Sequence, residues 1–182
     1  ARNLVRKSEK NGLKVEFLDC KEKNVKLFYS MLKDTFKKYG QLPPHSEEFY
    51  MLLTKRLLKS NNLLFLSIKN GADVVAMGIF MYNKCEINFM SGTSTRDGNK
   101  FGANNLMHWE VIKFAADNNI SKYNFGGLGI SSIDKFKRSF GGYEVGYSRY
   151  IWMKQYINLL FKMLIWVKSN LIMPLTMLLK GR

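Results

Sequence analysis

Apolar residues recur every three or four positions between Lys21 and Tyr39, where Val25, Phe28, Leu32 and Phe36 fall on one face, the spacing of an amphipathic helix. Gly40 stops it. The Pro43-Pro44 pair enforces an extended link, because a proline disfavours helical geometry in the residue before it. Ser46, followed by Glu47 and Glu48, opens a second helix carrying Phe49, Leu52, Leu53, Leu57 and Leu58. The pattern then changes. Leu63 to Ile68, Val74 to Tyr82 and Cys85 to Met90 are apolar, β-branched or aromatic runs, broken by Asn70-Gly71 and Asn83-Lys84, and predict an antiparallel meander.

Ser91 to Phe101, rich in Gly, Thr, Ser and Asn, reads as a loop leading into a helix from Gly102 to Asn118. On that helix Glu110, Lys113 and Asp117 form one narrow polar stripe while apolar side chains cover the rest, so it is expected to be largely buried. Tyr123 to Phe125 reads as a short strand ended by Gly126-Gly127, Ile133 to Phe140 as a helix closed by Gly141-Gly142, and Tyr143 to Met153 as a further strand. Residues 1–20 read as the end of a basic helix, stopped at Asn11-Gly12, plus a linker, as though a preceding unit came before them. The order predicts one mixed α/β (α+β) domain over 21–153, with a largely antiparallel sheet flanked by helices.

From Lys154 to Met173 the chain is strongly apolar, but Lys154, Gln155, Asn158, Lys162, Lys168 and Ser169 share one half of a helical wheel. That distribution predicts an amphipathic, basic C-terminal helix over 154–182 lying in a membrane interface, with Pro174 as its kink or end. A helix that merely covers the domain's own core has the same pattern. Charge changes the picture: 29 Lys and Arg against 14 Asp and Glu leave +15, which points to an anionic partner, whether nucleic acid, an anionic leaflet or a phosphorylated substrate. Cys20 and Cys85 are far apart and outside any metal-ligand spacing, so they read as free thiols in a reducing compartment, with no metal site expected. A basic, polar N-terminus lacking the apolar core of a signal peptide fits a cytoplasmic location.

Four segments resemble the signature region of the FemAB-like peptidoglycan-bridge family, whose members share the fold of the N-acetyltransferases. They are Met90-Ser-Gly-Thr-Ser94, Asn105-Leu-Met-His-Trp-Glu110, Tyr123-Asn-Phe-Gly-Gly127 and Phe136-Lys-Arg-Ser-Phe-Gly-Gly142, with Leu42-Pro-Pro-His-Ser46 similar to an upstream segment. The resemblance implies an acetyltransferase (GNAT)-like fold and an acyltransferase that moves an activated acyl group onto a primary amine. It implies aminoacyl-tRNA as donor, with acetyl-coenzyme A left open, and a lipid-linked or nucleotide-linked cell-wall precursor as acceptor. With the C-terminal helix, it implies a protein peripheral at the inner face of the plasma membrane.

Amide formation needs an aligned neutral amine and donors for the developing oxyanion, but no nucleophilic side chain. Lys137, between Phe136 and Phe140, is the candidate catalytic cation, since aromatic neighbours would strengthen its pull on an oxyanion or phosphate; the plainer reading is a solvated lysine. Arg138 beside it suits a phosphate contact. Gly126 and Gly127 would let a ligand approach the backbone, or simply make a turn. By the resemblance, Ser91, Gly92, Asn104, Asn105, His108, Trp109 and Glu110 join Phe136 as substrate-binding candidates. His108, however, reads more simply as a core histidine, and Glu110 as a surface partner of Lys113. N-acetyltransferases cradle coenzyme A phosphates with a Gln/Arg-x-x-Gly-x-Gly/Ala loop, and Asn99 to Asn104 departs from it at the lead residue and the second small residue. Two other readings stay open: a coenzyme A-dependent N-acetyltransferase of a soluble amine or amino sugar, and a non-catalytic basic module for membrane or RNA.

Overall fold

In the computed structural model, which describes residues 1–148 and also Leu159, Leu160, Lys162, Met163 and Trp166, the alternating runs pair as one five-stranded sheet. Strands β2 (Leu63–Asn70), β3 (Asp73–Tyr82) and β4 (Glu86–Ser94) form the expected antiparallel meander. On one edge β1 (Lys14–Phe17) runs antiparallel to β2, and on the other β5 (Lys122–Asn124) runs parallel to β4.

The sheet is covered on both faces, which is why β2 and β3 read as nearly continuous apolar runs. Leu63, Phe65, Met77 and Ile79 turn to one face, where they meet Val25, Phe28 and Leu32 of α2 (Glu22–Lys37) and Tyr50 of α3 (Glu47–Lys59). Their neighbours Leu64, Leu66, Ile68, Ala76 and Phe80 turn to the other, against Leu106, Met107 and Val111 of α5 (Ala103–Asp117) and Val5 of α1 (Arg2–Lys10). Ser46 caps α3 by accepting from the Phe49 amide at 3.2 Å.

Three segments differ from the sequence expectation. β1 is an additional strand, whose Leu13, Val15, Phe17 alternation is too short to stand out between charged neighbours. The stretch 91–101 is not a loop: β4 continues to Ser94, and α4 (Arg96–Phe101) follows at once, capped by Thr95 Oγ1 on the Gly98 amide at 3.0 Å. Its small polar residues serve close packing, since a Cβ on Gly98 would sit 2.3 Å from the Val75 carbonyl oxygen. Residues 143–148 carry no strand, and Tyr143, Val145 and Tyr147 are exposed, because alternation needs a partner strand and none among the described residues lies beside them.

Ala1–Tyr143 form one compact unit and Glu144–Arg182 a second. In the second, the five described residues from Leu159 to Trp166 are helical; the expected amphipathic helix and the rest of the expected Tyr143 to Met153 strand otherwise lie outside the described residues. Among the described residues, no helix is long and apolar enough to cross a membrane.

Candidate active site

β4 and β5 pair only at Glu86–Lys122, Ile87–Tyr123 and Asn88–Asn124. β5 then leaves the sheet while β4 runs on to Ser94, so the β4 edge beyond Asn88 has no strand beside it among the described residues. On its other edge β4 carries a bulge, since Phe89 pairs with Phe80 but Ser91 with Ile79, leaving Met90 as the extra residue. The bulge turns Met90 and Ser91 to the α2/α3 face, where Met90 packs on the core and Ser91 Oγ accepts from the Tyr50 hydroxyl at 3.2 Å.

After β5 the chain turns at Gly126, whose φ of +78° suits a glycine and whose amide donates to Asn124 Oδ1 at 2.8 Å. It returns through α6 (Ser131–Arg138), where Asp134 accepts from the Gly129 amide at 3.2 Å. Lys137 Nζ donates to the Gly126 carbonyl at 3.3 Å and also to the Gly127 carbonyl. The glycine-ended strand and the Phe-Lys element therefore meet at one ammonium. Among the described residues, two of its three hydrogens are committed, to those carbonyls, which leaves one for a ligand. Burial pulls the Lys137 pKa down, and the Asp134 carboxylate opposes the shift.

Behind this ammonium lies a box of rings centred on His108. The imidazole has Phe89, Phe125 and Phe136 at ring-centroid distances of 4.8, 5.2 and 5.3 Å, and Phe80, Tyr123 and Phe140 at 5.6 to 6.0 Å. Its Nδ1 is 2.5 Å from the Tyr123 hydroxyl. Burial, reinforced by the Lys137 charge, pushes the His108 pKa down to about 3, and burial alone raises that of Tyr123, so the pair is neutral. A neutral, desolvated wall beside one cation lowers the local dielectric and strengthens that cation's field.

An acetyltransferase (GNAT) domain profile matches residues 1–138, three quarters of the chain and every strand of the sheet. The chain belongs to the GNAT acetyltransferase family. It is thereby an acyltransferase in fold and family. The aminoacyltransferase FemB of Staphylococcus epidermidis is 37% identical over 54 residues, 30% of this chain and 13% of that protein. The chain thus spans a small part of the curated relatives it matches. The structure of FemX is similar with a TM-score of 0.68 at 15% identity, covering 78% of this chain and 53% of that one. A possible acetyltransferase from Clostridium difficile 630 is similar with a TM-score of 0.62 at 13% identity, covering 78% and 97%. At such identities these two structures show the shared fold alone.

The other candidates in this GNAT domain lie apart from Lys137 or do structural work. Asn104 Nδ2 donates to Ser94 Oγ at 3.1 Å and Asn99 Oδ1 at 2.9 Å, tying the start of α5 to the end of β4. Asn105 is buried in the first turn of α5 and Trp109 is part-exposed. Glu110 pairs with Lys113 at 2.7 Å on the solvent side. Gly92 lies under the Phe89 ring, which a Cβ would approach to 3.0 Å. Arg138 is exposed at the end of α6. The Asn99 to Asn104 stretch is folded against α1, with Ser8 Oγ donating to the Phe101 carbonyl at 2.8 Å and a Gly102 Cβ only 2.9 Å from the Leu4 carbonyl oxygen. Tyr123, Phe125 and Tyr50 were not anticipated by sequence reasoning; the aromatic alternation in Tyr123-Asn-Phe125 was the available signal for the first two.

Proposed function

We propose that the chain transfers an aminoacyl group from aminoacyl-tRNA to a primary amine on a lipid-linked or nucleotide-linked cell-wall precursor. The observation that carries this is the Lys137 ammonium anchored on the Gly126 and Gly127 carbonyls, beside an open β4 edge. The amine nitrogen attacks the ester carbonyl carbon, and the third N–H of Lys137 donates to the oxyanion that forms. Collapse breaks the ester C–O bond, the leaving ribose oxygen takes a proton, and the amine nitrogen loses one. Gly126 and Gly127 leave room for the donor, since a Cβ on either would meet nothing within 4 Å.

The similarity to the aminoacyltransferase FemB supports an aminoacyl donor, and the FemAB-like segments support a peptidoglycan acceptor. The departure of Asn99 to Asn104 from the coenzyme A cradle, with that stretch packed on α1, favours the same donor. Net charge of +15 suits both tRNA and an anionic inner leaflet, where the basic 154–182 segment would hold the protein peripherally. An acetyl-coenzyme A donor is the second reading, favoured by the match to the acetyltransferase (GNAT) domain profile. Incubating the protein with a lipid-linked precursor and either charged tRNA or acetyl-coenzyme A, then weighing the product, tests both. A mass gain of one amino-acid residue, dependent on charged tRNA, is expected; acetylation alone would replace the first reading with the second.

A further inference from the structure

Lys137 and the two carbonyls it bonds sit on segments with little hold on the core. α6 has no buried residue, Gly126 and Gly127 are exposed, and β5 pairs with β4 over three residues. A donor stabilises an oxyanion only where it is held ready, so the spacing between these two arms has to be set from deeper in the domain. Phe125 immediately precedes Gly126, and Phe136 immediately precedes Lys137. Both rings meet the imidazole of His108, at 5.2 and 5.3 Å. Phe140 closes the set, 5.2 Å from Phe125 and 5.3 Å from Phe136.

His108 is the fixed member. It is 4% exposed on α5, and Phe80 of β3 and Phe89 of β4 back it at 5.6 and 4.8 Å. Tyr123 makes one side-chain hydrogen bond among the described residues, 2.5 Å to His108 Nδ1, so its hydroxyl hydrogen goes there and the neutral ring carries its own hydrogen on Nε2. That bond ties α5 to β5 two residues ahead of Phe125. One buried imidazole thus touches both arms of the site and is itself pinned to the strand that bears one of them.

We propose that His108 is a positioning residue: tethered by Tyr123 and packed against Phe125 and Phe136, it holds the Gly126 and Gly127 carbonyls and the Lys137 ammonium at bonding distance. The inference rests on Lys137 as the oxyanion donor. His108 acts through Lys137 and exchanges no proton in the reaction. The same packing keeps water from Lys137, whose pKa burial pulls down. Among the described residues, the titratable groups around it are Asp134 on its own helix, His108 on α5 and Tyr123 on β5, the last two neutral. Loosening the box therefore returns Lys137 upward, toward the ordinary lysine range.

The test uses the whole chain and three variants. Tyr123→Phe removes one oxygen and keeps every ring, His108→Ala removes the imidazole, and Val111→Ala, buried on the same helix outside the ring set, controls for lost stability. With the donor and precursor that give product, kcat is expected to fall at least about tenfold in His108→Ala and by less in Tyr123→Phe, KM staying within about twofold, while Val111→Ala keeps native kinetics. Competitive acetylation by acetic anhydride over about pH 7 to 11, read by peptide mass with exposed Lys135 as internal reference, should move Lys137 reactivity to higher pH in both box variants and leave it native in Val111→Ala. Tyr123→Phe decides both readouts if His108→Ala fails to fold. A native Lys137 labelling profile in the box variants, or a kcat loss no greater than in Val111→Ala, overturns the proposal. Native turnover in Lys137→Ala would instead sink the reading beneath it, whereas an impaired Lys137→Ala beside unimpaired box variants sinks this inference alone.

Discussion

Lowering the pH from 7 to 5 should destabilise the protein through His108. Inside the ring box its pKa falls to about 3, from the 6.5 of an unhindered imidazole. Below pH 6.5 the unfolded chain takes up a proton that the folded chain refuses. Stability is therefore complete above pH 6.5 and declines as the pH falls toward 3, by about 1.4 kcal/mol per pH unit, or about 2 kcal/mol at pH 5. The chain's other histidine, His45, is exposed and stacked on Phe49 at 4.1 Å, which makes it a natural control. Urea denaturation followed by circular dichroism at pH 7, 6 and 5 reads the effect in the native chain, His108→Gln and His45→Gln. His108→Gln should be less stable at pH 7 but nearly flat across the range, while His45→Gln should keep the native slope. An equal loss between pH 7 and pH 5 in native and His108→Gln protein would refute a neutral, buried His108.

Gly98→Ala forces a Cβ to within 2.3 Å of the Val75 carbonyl oxygen and should cost roughly 2–3 kcal/mol; an unchanged melting temperature would contradict the packing of α4 on β3. Phe28→Ala empties a fully buried site whose ring meets Tyr50 at 5.3 Å and Phe65 at 5.8 Å edge-on, and should cost about 3–5 kcal/mol in urea denaturation. A cost below about 1 kcal/mol would mean the α2 face is not packed as described. Gly127→Ala adds a methyl that meets nothing within 4 Å at a φ outside the left-handed region, so stability should hold within about 0.5 kcal/mol. Turnover should nonetheless fall, because the methyl intrudes on the donor's approach; turnover equal to wild type removes Gly127 from the ligand path.

Elements with strong periodicity were legible: α2, α3, α5 and the meander follow directly from Val25 to Phe36, Phe49 to Leu57 and the paired apolar runs. β1 was hidden by its shortness, and the end of β4 by its composition. Ser91, Thr93 and Ser94 look like loop residues, yet each hydroxyl finds a partner on a helix beside the strand, Tyr50 of α3, Met31 of α2 and Asn99 of α4, which is what lets polar residues sit in a covered strand. In the candidate site, Lys137 with Gly126 and Gly127 was readable from motif order. The His108 box was not, because it gathers rings from β3, β4, α5, β5 and α6, and no local spacing encodes such a convergence.

The most direct measurement compares turnover and stability of Lys137→Ala with wild type, using the donor and precursor that give product. The expected result is a fall of about 10² to 10³ in turnover, the loss typical of one oxyanion donor, with a melting temperature close to native because the Gly126 and Gly127 carbonyls that Lys137 bonds are on exposed residues. Turnover within twofold or so of wild type, or a loss that simply tracks unfolding, would contradict a mechanism in which the ammonium on Gly126 and Gly127 stabilises the reacting carbonyl.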